Sequence, residues 1–141
     1  MNDYEIEQVI PQRAPVKMVD RLLDIHGDTA ITTLTIRRDN FFLEADGCLT
    51  EAGIIEHLAQ SASALAGCLA RRQGTGKVPV GYIGEIRDFH CQRFPRIGET
   101  MTTVITRNEV FGDFTCLSGE TRTADGPTAD IQLKIYIDPN Y

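Results

Sequence analysis

The chain has 141 residues, a length that suits one domain with a full hydrophobic core. Hydrophobic residues make up 42% of it and charged residues 24%, which excludes a disordered or fibrous protein. The formal net charge of −6 argues against general binding to nucleic acids or anionic membranes, because both need a positive electrostatic field.

The cysteines and histidines form no metal-binding pattern. The four cysteines contain no Cys-x-x-Cys pair, and the three histidines are scattered along the chain. We therefore expect free thiols in a reducing compartment, and no metal or cofactor. The N-terminal stretch is acidic and has no apolar run, so we expect no signal peptide, no transmembrane segment and a cytoplasmic location.

The N-terminal part of the chain predicts a short helix and a β-hairpin. The apolar residues of Asp3–Ile10 share one helical face, and Pro11 would end that helix. Val16–Ile25 is predicted to be a strand that is followed by a turn at Gly27–Asp28. The β-branched residues that alternate along Thr29–Arg37 predict the hairpin partner of that strand.

One long helix is predicted within the stretch Asn40–Gly74, and the chain after it is β. Thr50 is a suitable N-cap, and Gly74 is well placed to end the helix. An apolar stripe runs along the helix, and small residues cover much of the remaining surface, which lets a sheet pack closely against it. The stripe consists of Ile54, Leu58, Leu65 and Leu69.

Alternating patterns after the helix predict four more strands, and Gly84 indicates a bulge or a close backbone approach within the first of them. The order of elements fits an α+β fold in which a curved antiparallel sheet wraps one central helix, as one domain over residues 1–141. The exposed edge strands of such a sheet favour dimerisation. The four strands are predicted at Val80–Gln92, Glu99–Val110, Phe111–Thr123 and Thr128–Ile137.

Four sets of residues carry a family pattern: an opening motif, a segment before the helix, a helix motif, and a strand with the turn after it. They are Ile10–Pro15 with Met18–Arg21, Asn40–Phe42, Glu56–Gln60, and Gly84–Ile86 with Phe89 and Pro95–Glu99. In order and spacing they resemble the motifs of the β-hydroxyacyl-(acyl carrier protein) dehydratases over nearly the whole chain. The resemblance implies the hotdog fold, a homodimer or larger hotdog oligomer, and thioesters of acyl carrier protein or coenzyme A as ligands.

The loop before the helix departs from that family's pattern. The family places a catalytic histidine in a Gly-His-Phe-Pro-Gly loop, whereas Leu43–Glu51 contains neither histidine nor proline. The sequence is therefore similar to a divergent branch that is found with aryl-polyene and flexirubin pigment synthesis. The missing histidine leaves three functions open: a dehydratase, an acyl thioesterase, or a non-catalytic subunit that pairs with a histidine-bearing paralogue.

Dehydration of a β-hydroxyacyl thioester needs a base for the α-proton, an acid for the leaving hydroxyl group, and donors for the thioester oxygen. Glu56 is the first candidate for the catalytic acid/base role, because it lies early in a helix that the sheet should shield from water. Gln60, one turn later on the same face, is the second catalytic candidate and would orient Glu56 or a substrate carbonyl. The resemblance places the family's acid at Glu56. A thioesterase would use the same carboxylate as base or nucleophile.

Further residues near the helix N-terminus are candidates for substrate binding. The backbone amides from Glu51 to Ile54 would polarise the thioester oxygen, and Gly53 would let a ligand approach closely. The substrate-binding candidates are Asp46, Cys48, Glu51, Ala52, Gly53 and His57.

Three of these candidates bear on the missing histidine. Asp46 and Cys48 occupy the loop in which the family keeps that residue. His57 is a substitute for it within the helix. Packing or a dimer interface is the alternative role for His57, because a helix with 3.6 residues per turn rotates it about 100° from Glu56.

Overall fold

The computed structural model describes residues 5–74 and 81–138, apart from the side chain of Ile137, and contains one antiparallel sheet of six strands curved around a long helix. From the N-terminus, the strands are β1 (Arg21–His26), β2 (Thr29–Thr35), β3 (Gly81–Cys91), β4 (Thr100–Phe111), β5 (Phe114–Thr123) and β6 (Gly126–Ile137). Across the sheet the strand order is β1-β2-β4-β5-β6-β3, so β1 and β3 are the edges. This is the α+β architecture that the sequence predicts. No helix among the described residues is long and apolar enough to cross a membrane. The long helix is α1 (Glu51–Arg72), which lies between β2 and β3 in the sequence.

The helix α1 forms where a capping residue precedes an apolar pattern of helical spacing. The Thr50 Oγ1 accepts a hydrogen bond from the Gly53 amide at 3.0 Å, which is the predicted N-cap. Most of the predicted stripe is fully buried, namely Ile54, Leu58 and Leu65. The core that these residues share with the strands includes Met101, Ile105, Leu117, Ile131 and Leu133.

The N-terminal segment is less regular than its pattern predicts. The predicted helix Asp3–Ile10 is reduced to one 3₁₀ turn, Ile6–Gln8, and residues 3 and 4 lie outside the described part of the chain. Ile6, Val9 and Ile10, whose spacing suggested a helix, are nonetheless buried in the core. The segment lies so close to α1 that a Cβ atom on Gly67 would be 1.9 Å from the Val9 carbonyl oxygen. Glycine at position 67 therefore makes this contact possible.

Strand β1 begins at Arg21, although the alternating pattern predicts a strand that begins at Val16. Side chains of α1 hold the backbone before it. The Met18 amide donates to Gln60 Oε1 at 2.6 Å, Gln60 Nε2 donates to the Val16 carbonyl at 2.8 Å, and the Met18 carbonyl lies 2.6 Å from His57 Nδ1. Because these backbone groups are already paired with helix side chains, they do not pair with a neighbouring strand.

The strands after the helix lie close to their predicted positions. Val80, with which the first of them was predicted to begin, lies outside the described residues. Gly84 marks a bulge, because the register of β3 against β6 shifts between Ile83 and Glu85. Among the described residues, strand β3 pairs only with β6, and several of its apolar side chains are exposed.

Candidate functional site

An elongated, mostly apolar cavity of about 520 Å³ lies between α1 and the inner face of the sheet. Glu56 lines it near one end of the helix and Gln73 at the other. At 1.5 Å per residue, these two positions are about 25 Å apart along the helix axis. A cavity of this size and composition suits a ligand with a long apolar portion. Its walls include Ala59, Ser63 and Ala66 on the helix, and Ile83, Leu117 and Ile135 on the sheet.

Glu56 is half-buried, and a fully buried neighbour fixes its carboxylate. Gln60 Nε2 donates to Glu56 Oε1 at 2.8 Å and also to the Val16 carbonyl. The Met18 amide donates to Gln60 Oε1. Since backbone groups hold both ends of the Gln60 amide, its orientation is set, and it presents an N–H group to Glu56. The Glu56 Oε2 atom makes no hydrogen bond with the described residues, so it is available to a ligand.

His57 lies in the core and does not line the cavity. Its Nδ1 is 2.6 Å from the Met18 carbonyl oxygen and its Nε2 is 2.7 Å from Thr103 Oγ1. Complete burial lowers the pKa of His57 from 6.5 to about 4, against the opposing effect of the bond to Met18. Both ring nitrogens are occupied, so the placement corrects the expected substrate contact and favours the packing role.

The N-terminus of α1 offers fewer free amides than the sequence suggests. The Gly53 amide is bonded to Thr50 Oγ1, and the Ile54 amide donates to the Thr50 carbonyl at 3.1 Å. The amides of Glu51 and Ala52, two exposed residues, have no acceptor among the described residues. Of the backbone amides from Glu51 to Ile54 that were expected to polarise a thioester oxygen, those of Glu51 and Ala52 are therefore still available.

Gly53 is covered by its own chain. A Cβ atom at this position would lie 2.7 Å from the Phe42 Cβ and 2.8 Å from the Leu49 Cδ1. The glycine therefore admits the segment that precedes the helix. This corrects the expectation that its missing side chain makes room for a ligand.

The loop residues Asp46 and Cys48 are held by their own chain and do not line the cavity. Asp46 Oδ1 accepts a hydrogen bond from the Cys48 amide at 2.9 Å. The Arg96 guanidinium donates to the Asp46 carbonyl at 3.1 Å and contacts the Cys48 sulfur at 3.4 Å. These contacts fix the loop against the turn before β4, and substrate binding by either residue stays a prediction.

Sequence reasoning missed several polar residues that line the cavity, among them Gln12, Ser63 and Arg107. Ser63 lies two turns after Glu56 on one helix face, so helical spacing was a usable signal for it. Gln12 and Arg107 come from distant segments, and nothing in the sequence connects them to Glu56. Asp28 anchors Arg107, with 2.6 Å between Arg107 Nη2 and Asp28 Oδ1. Within the described ranges, no cluster of three His, Cys, Asp or Glu side chains is arranged to hold a metal ion.

A six-stranded antiparallel sheet that wraps one helix, with a cavity along that helix, defines the class of hotdog-fold proteins. Solved structures share the fold. A chain of the dehydratase heterocomplex ApeI:P from Xenorhabdus doucetiae matches 97% of this chain and 93% of its own, with a TM-score of 0.89 and 18% identity. The E. coli PaaI protein from the phenylacetic acid degradation operon matches 82% of this chain and 80% of its own, with a TM-score of 0.64 and 11% identity. The predicted hotdog fold is confirmed.

The family follows from the sequence comparisons. The ApeP-like family model, described as ApeP dehydratase, matches residues 4–140. Over 115 residues the chain is 33% identical to the 3-hydroxyacyl-(acyl carrier protein) dehydratase FabZ of Oenococcus oeni, a match that covers 78% of this chain and 80% of that relative. The chain belongs to the ApeP-like dehydratase family, which confirms the predicted resemblance to a divergent dehydratase branch.

Proposed function

We propose that this chain removes water from 3-hydroxyacyl thioesters, carried by acyl carrier protein or coenzyme A. One observation carries the proposal: a buried glutamine holds the Glu56 carboxylate at one end of an apolar cavity that runs along α1. Membership of the ApeP-like dehydratases supports the reaction type. The likeness to the aryl-polyene branch supports a growing, partly unsaturated acyl chain as the substrate.

Glu56 is sufficient for both proton transfers. Its carboxylate takes a proton from C2, and the electron pair moves towards the thioester oxygen. The carboxylic acid then gives this proton to the C3 hydroxyl group, the C3–O bond breaks, the C2–C3 double bond forms, and water leaves. The Ala52 amide, which lies one turn before Glu56 and has no acceptor among the described residues, would donate to the thioester oxygen. No second acid is needed, so the route is compatible with the missing loop histidine.

We also propose that two subunits pair along the edge strand β3. Tyr82 and Ile83 of this strand line the cavity and are 53% and 40% exposed. A second sheet edge placed there would cover the apolar side chains and close the side of the cavity. The second subunit is another copy of this chain or a paralogue, and the ApeI:P complex, described as a dehydratase heterocomplex, supports the paralogue.

A non-catalytic subunit is the second candidate function. One observation favours it: no histidine is among the described residues that line the cavity. In that arrangement a paralogue would bring the histidine and carry out the reaction, and this chain would supply a wall of the cavity.

An assay of the purified chain with two thioesters separates the candidates. Loss of water from a 3-hydroxyacyl thioester, followed by the absorbance of the enoyl product, supports the dehydratase. Hydrolysis of a saturated acyl thioester, followed by release of free thiol, supports the thioesterase. If neither reaction occurs with the chain alone, the dehydratase proposal fails for the isolated chain and the subunit role is favoured.

A further inference from the structure

Gln12 carries a buried oxygen for which the described chain supplies no hydrogen bond. Its Oε1 atom has no partner within residues 5–74 and 81–138, and the residue lines the same cavity as Glu56. A buried amide oxygen without a donor is destabilising, and such atoms are rare enough in folded proteins that each calls for an explanation. A ligand in the cavity that brings an O–H or N–H group would provide one.

Two contacts fix the path of the N-terminal segment along α1. The Val9 carbonyl lies against Gly67, and the Val16 carbonyl accepts a hydrogen bond from Gln60. The chain between these contacts therefore runs alongside the helix from Gly67 back to Gln60. Gln12 lies within this stretch, beside the helix surface that lines the cavity.

A turn follows Gln12 and leads the chain to the backbone that Gln60 holds. The Val16 amide donates to the Arg13 carbonyl at 3.1 Å, which closes a four-residue turn and brings Arg13 within about 7 Å of Val16. The Val16 carbonyl in turn shares the Gln60 amide with Glu56. Gln12 therefore lines the cavity from the stretch of chain that ends at the pair of Gln60 and Glu56.

We infer that Gln12 Oε1 accepts a hydrogen bond from the 3-hydroxyl group of the substrate, so that Gln12 is a positioning residue for the dehydration. This inference rests on the proposed function. In a saturated 3-hydroxyacyl group the 3-hydroxyl is the one hydrogen-bond donor, since the thioester has only acceptors. When its hydrogen points to Gln12, a lone pair of the same oxygen faces the acid that must protonate it. The hydroxyl hydrogen stays on the oxygen and leaves with the water.

Binding to a catalytically disabled variant tests the inference without turnover. The background is Glu56→Gln, and the probes are the pantetheine thioesters of 3-hydroxyoctanoic acid and octanoic acid, which differ by one hydroxyl group. Gln12→Met keeps the length of the side chain and removes the acceptor. Gln132→Met, on the exposed outer face of β6, is the matched control.

We expect Glu56→Gln to bind the hydroxylated probe about tenfold more tightly than the saturated one. Adding Gln12→Met should abolish this preference by weakening the hydroxylated probe alone, while Gln132→Met leaves it intact. The melting temperature should not fall, because an apolar group replaces an unpaired acceptor. Equal weakening of both probes, no weakening, or no binding of either probe would overturn the inference.

The test remains separate from that of the proposed function. If the wild-type chain releases no water but the hydroxyl preference depends on Gln12, the proposed reaction fails and the subsite stands. If the chain is an active dehydratase and Gln12→Met leaves kcat and the hydroxyl preference unchanged, the subsite fails and the reaction stands.

Discussion

Glu56 and His57 are adjacent in sequence, yet the fold places them in opposite environments. Glu56 is half-buried beside the cavity, and Gln60 holds one of its oxygens. His57 is completely buried, with both ring nitrogens paired. A rotation of about 100° per residue turns one side chain to the cavity and the next into the core. The carboxylate is therefore accessible from the cavity, whereas the imidazole is part of the core.

At Glu56, the substitution Glu56→Gln should lower the rate of dehydration by about 10²–10⁴-fold, the usual contribution of a general acid/base group. Thermal stability should stay near that of the wild type, because the new amide oxygen still accepts from Gln60. The measurement is kcat with a 3-hydroxyacyl thioester, together with a melting curve. Glu120→Gln, at an exposed position in β5, is the control. A Glu56→Gln variant with full activity would remove this carboxylate from the mechanism.

At His57, the lowered pKa makes stability depend on pH with a definite sign. The pKa is about 4 in the folded chain, because burial disfavours the charged ring, against 6.5 for an ordinary histidine. The contribution of the neutral His57 to the free energy of unfolding is complete above pH 6.5. It is lost as the pH falls towards 4, because in that range only the unfolded chain takes up the proton.

Between pH 7 and pH 4.5, the wild type should therefore lose about 2–3 kcal/mol more unfolding free energy than His57→Gln does. Urea denaturation at the two pH values measures this difference, and the carboxylates common to both proteins cancel. Equal losses in the two proteins would mean that His57 is not held neutral by burial.

At the scale of the element, α1 meets three different surroundings. Its apolar stripe packs against the sheet, and a row of small residues faces the cavity. Its third side is polar, with Gln60 and His57 holding the backbone at Val16 and Met18. Ser61 belongs to the same buried polar set and is 2.7 Å from Thr32 Oγ1. All these core polar groups are paired, which explains why the helix tolerates them.

Gly67→Ala tests the contact between α1 and the N-terminal segment. Helix propensity alone predicts a gain of about 1 kcal/mol in stability. The clash with the Val9 carbonyl, a backbone atom that cannot rotate away, should outweigh it and give a net loss of about 1–3 kcal/mol. Chemical denaturation measures the balance, and faster proteolysis near the N-terminus would show that the segment has been displaced. A stabilised variant would contradict the close contact.

At the scale of the whole molecule, the cavity and the open sheet edge lie together. In the part of the chain that the structure describes, strand β3 pairs on one side only, and its residues Tyr82 and Ile83 line the cavity. At the opposite edge β1 is shorter and takes no part in the cavity. This asymmetry is the reason that we assign subunit pairing to β3.

Ile86→Lys should weaken that pairing. Ile86 is 42% exposed on β3, and a charge on an edge strand disfavours contact with another edge. We expect sedimentation to show a shift from dimer to monomer and the dehydratase activity to fall with it. The matched control is Leu23→Lys on the edge strand β1, where the side chain is 39% exposed. Dissociation by the control and not by Ile86→Lys would move the interface to β1.

Local patterns determined most of the fold. The alternation of side chains predicted β2 (Thr29–Thr35) and the strands that follow the helix. The apolar stripe and the N-cap Thr50 predicted α1. These features depend on residues a few positions apart, so their physical causes are visible in the sequence. The pair of Glu56 and Gln60 was accessible for the same reason, because a spacing of four residues on a helix brings two side chains together.

The tertiary structure alone decided what surrounds these residues. Gln60 replaces a strand partner for Met18, 42 positions away, which shortens β1. Phe42 and Leu49 fill the space beside Gly53. Gln12 reaches the cavity of Glu56, although the sequence gives no sign that they meet. Such contacts depend on the path of the whole backbone around α1. The sequence by itself therefore determined a hotdog-type sheet, its helix and the acid at position 56, whereas the packing of distant segments decided which side chains share the cavity with that acid.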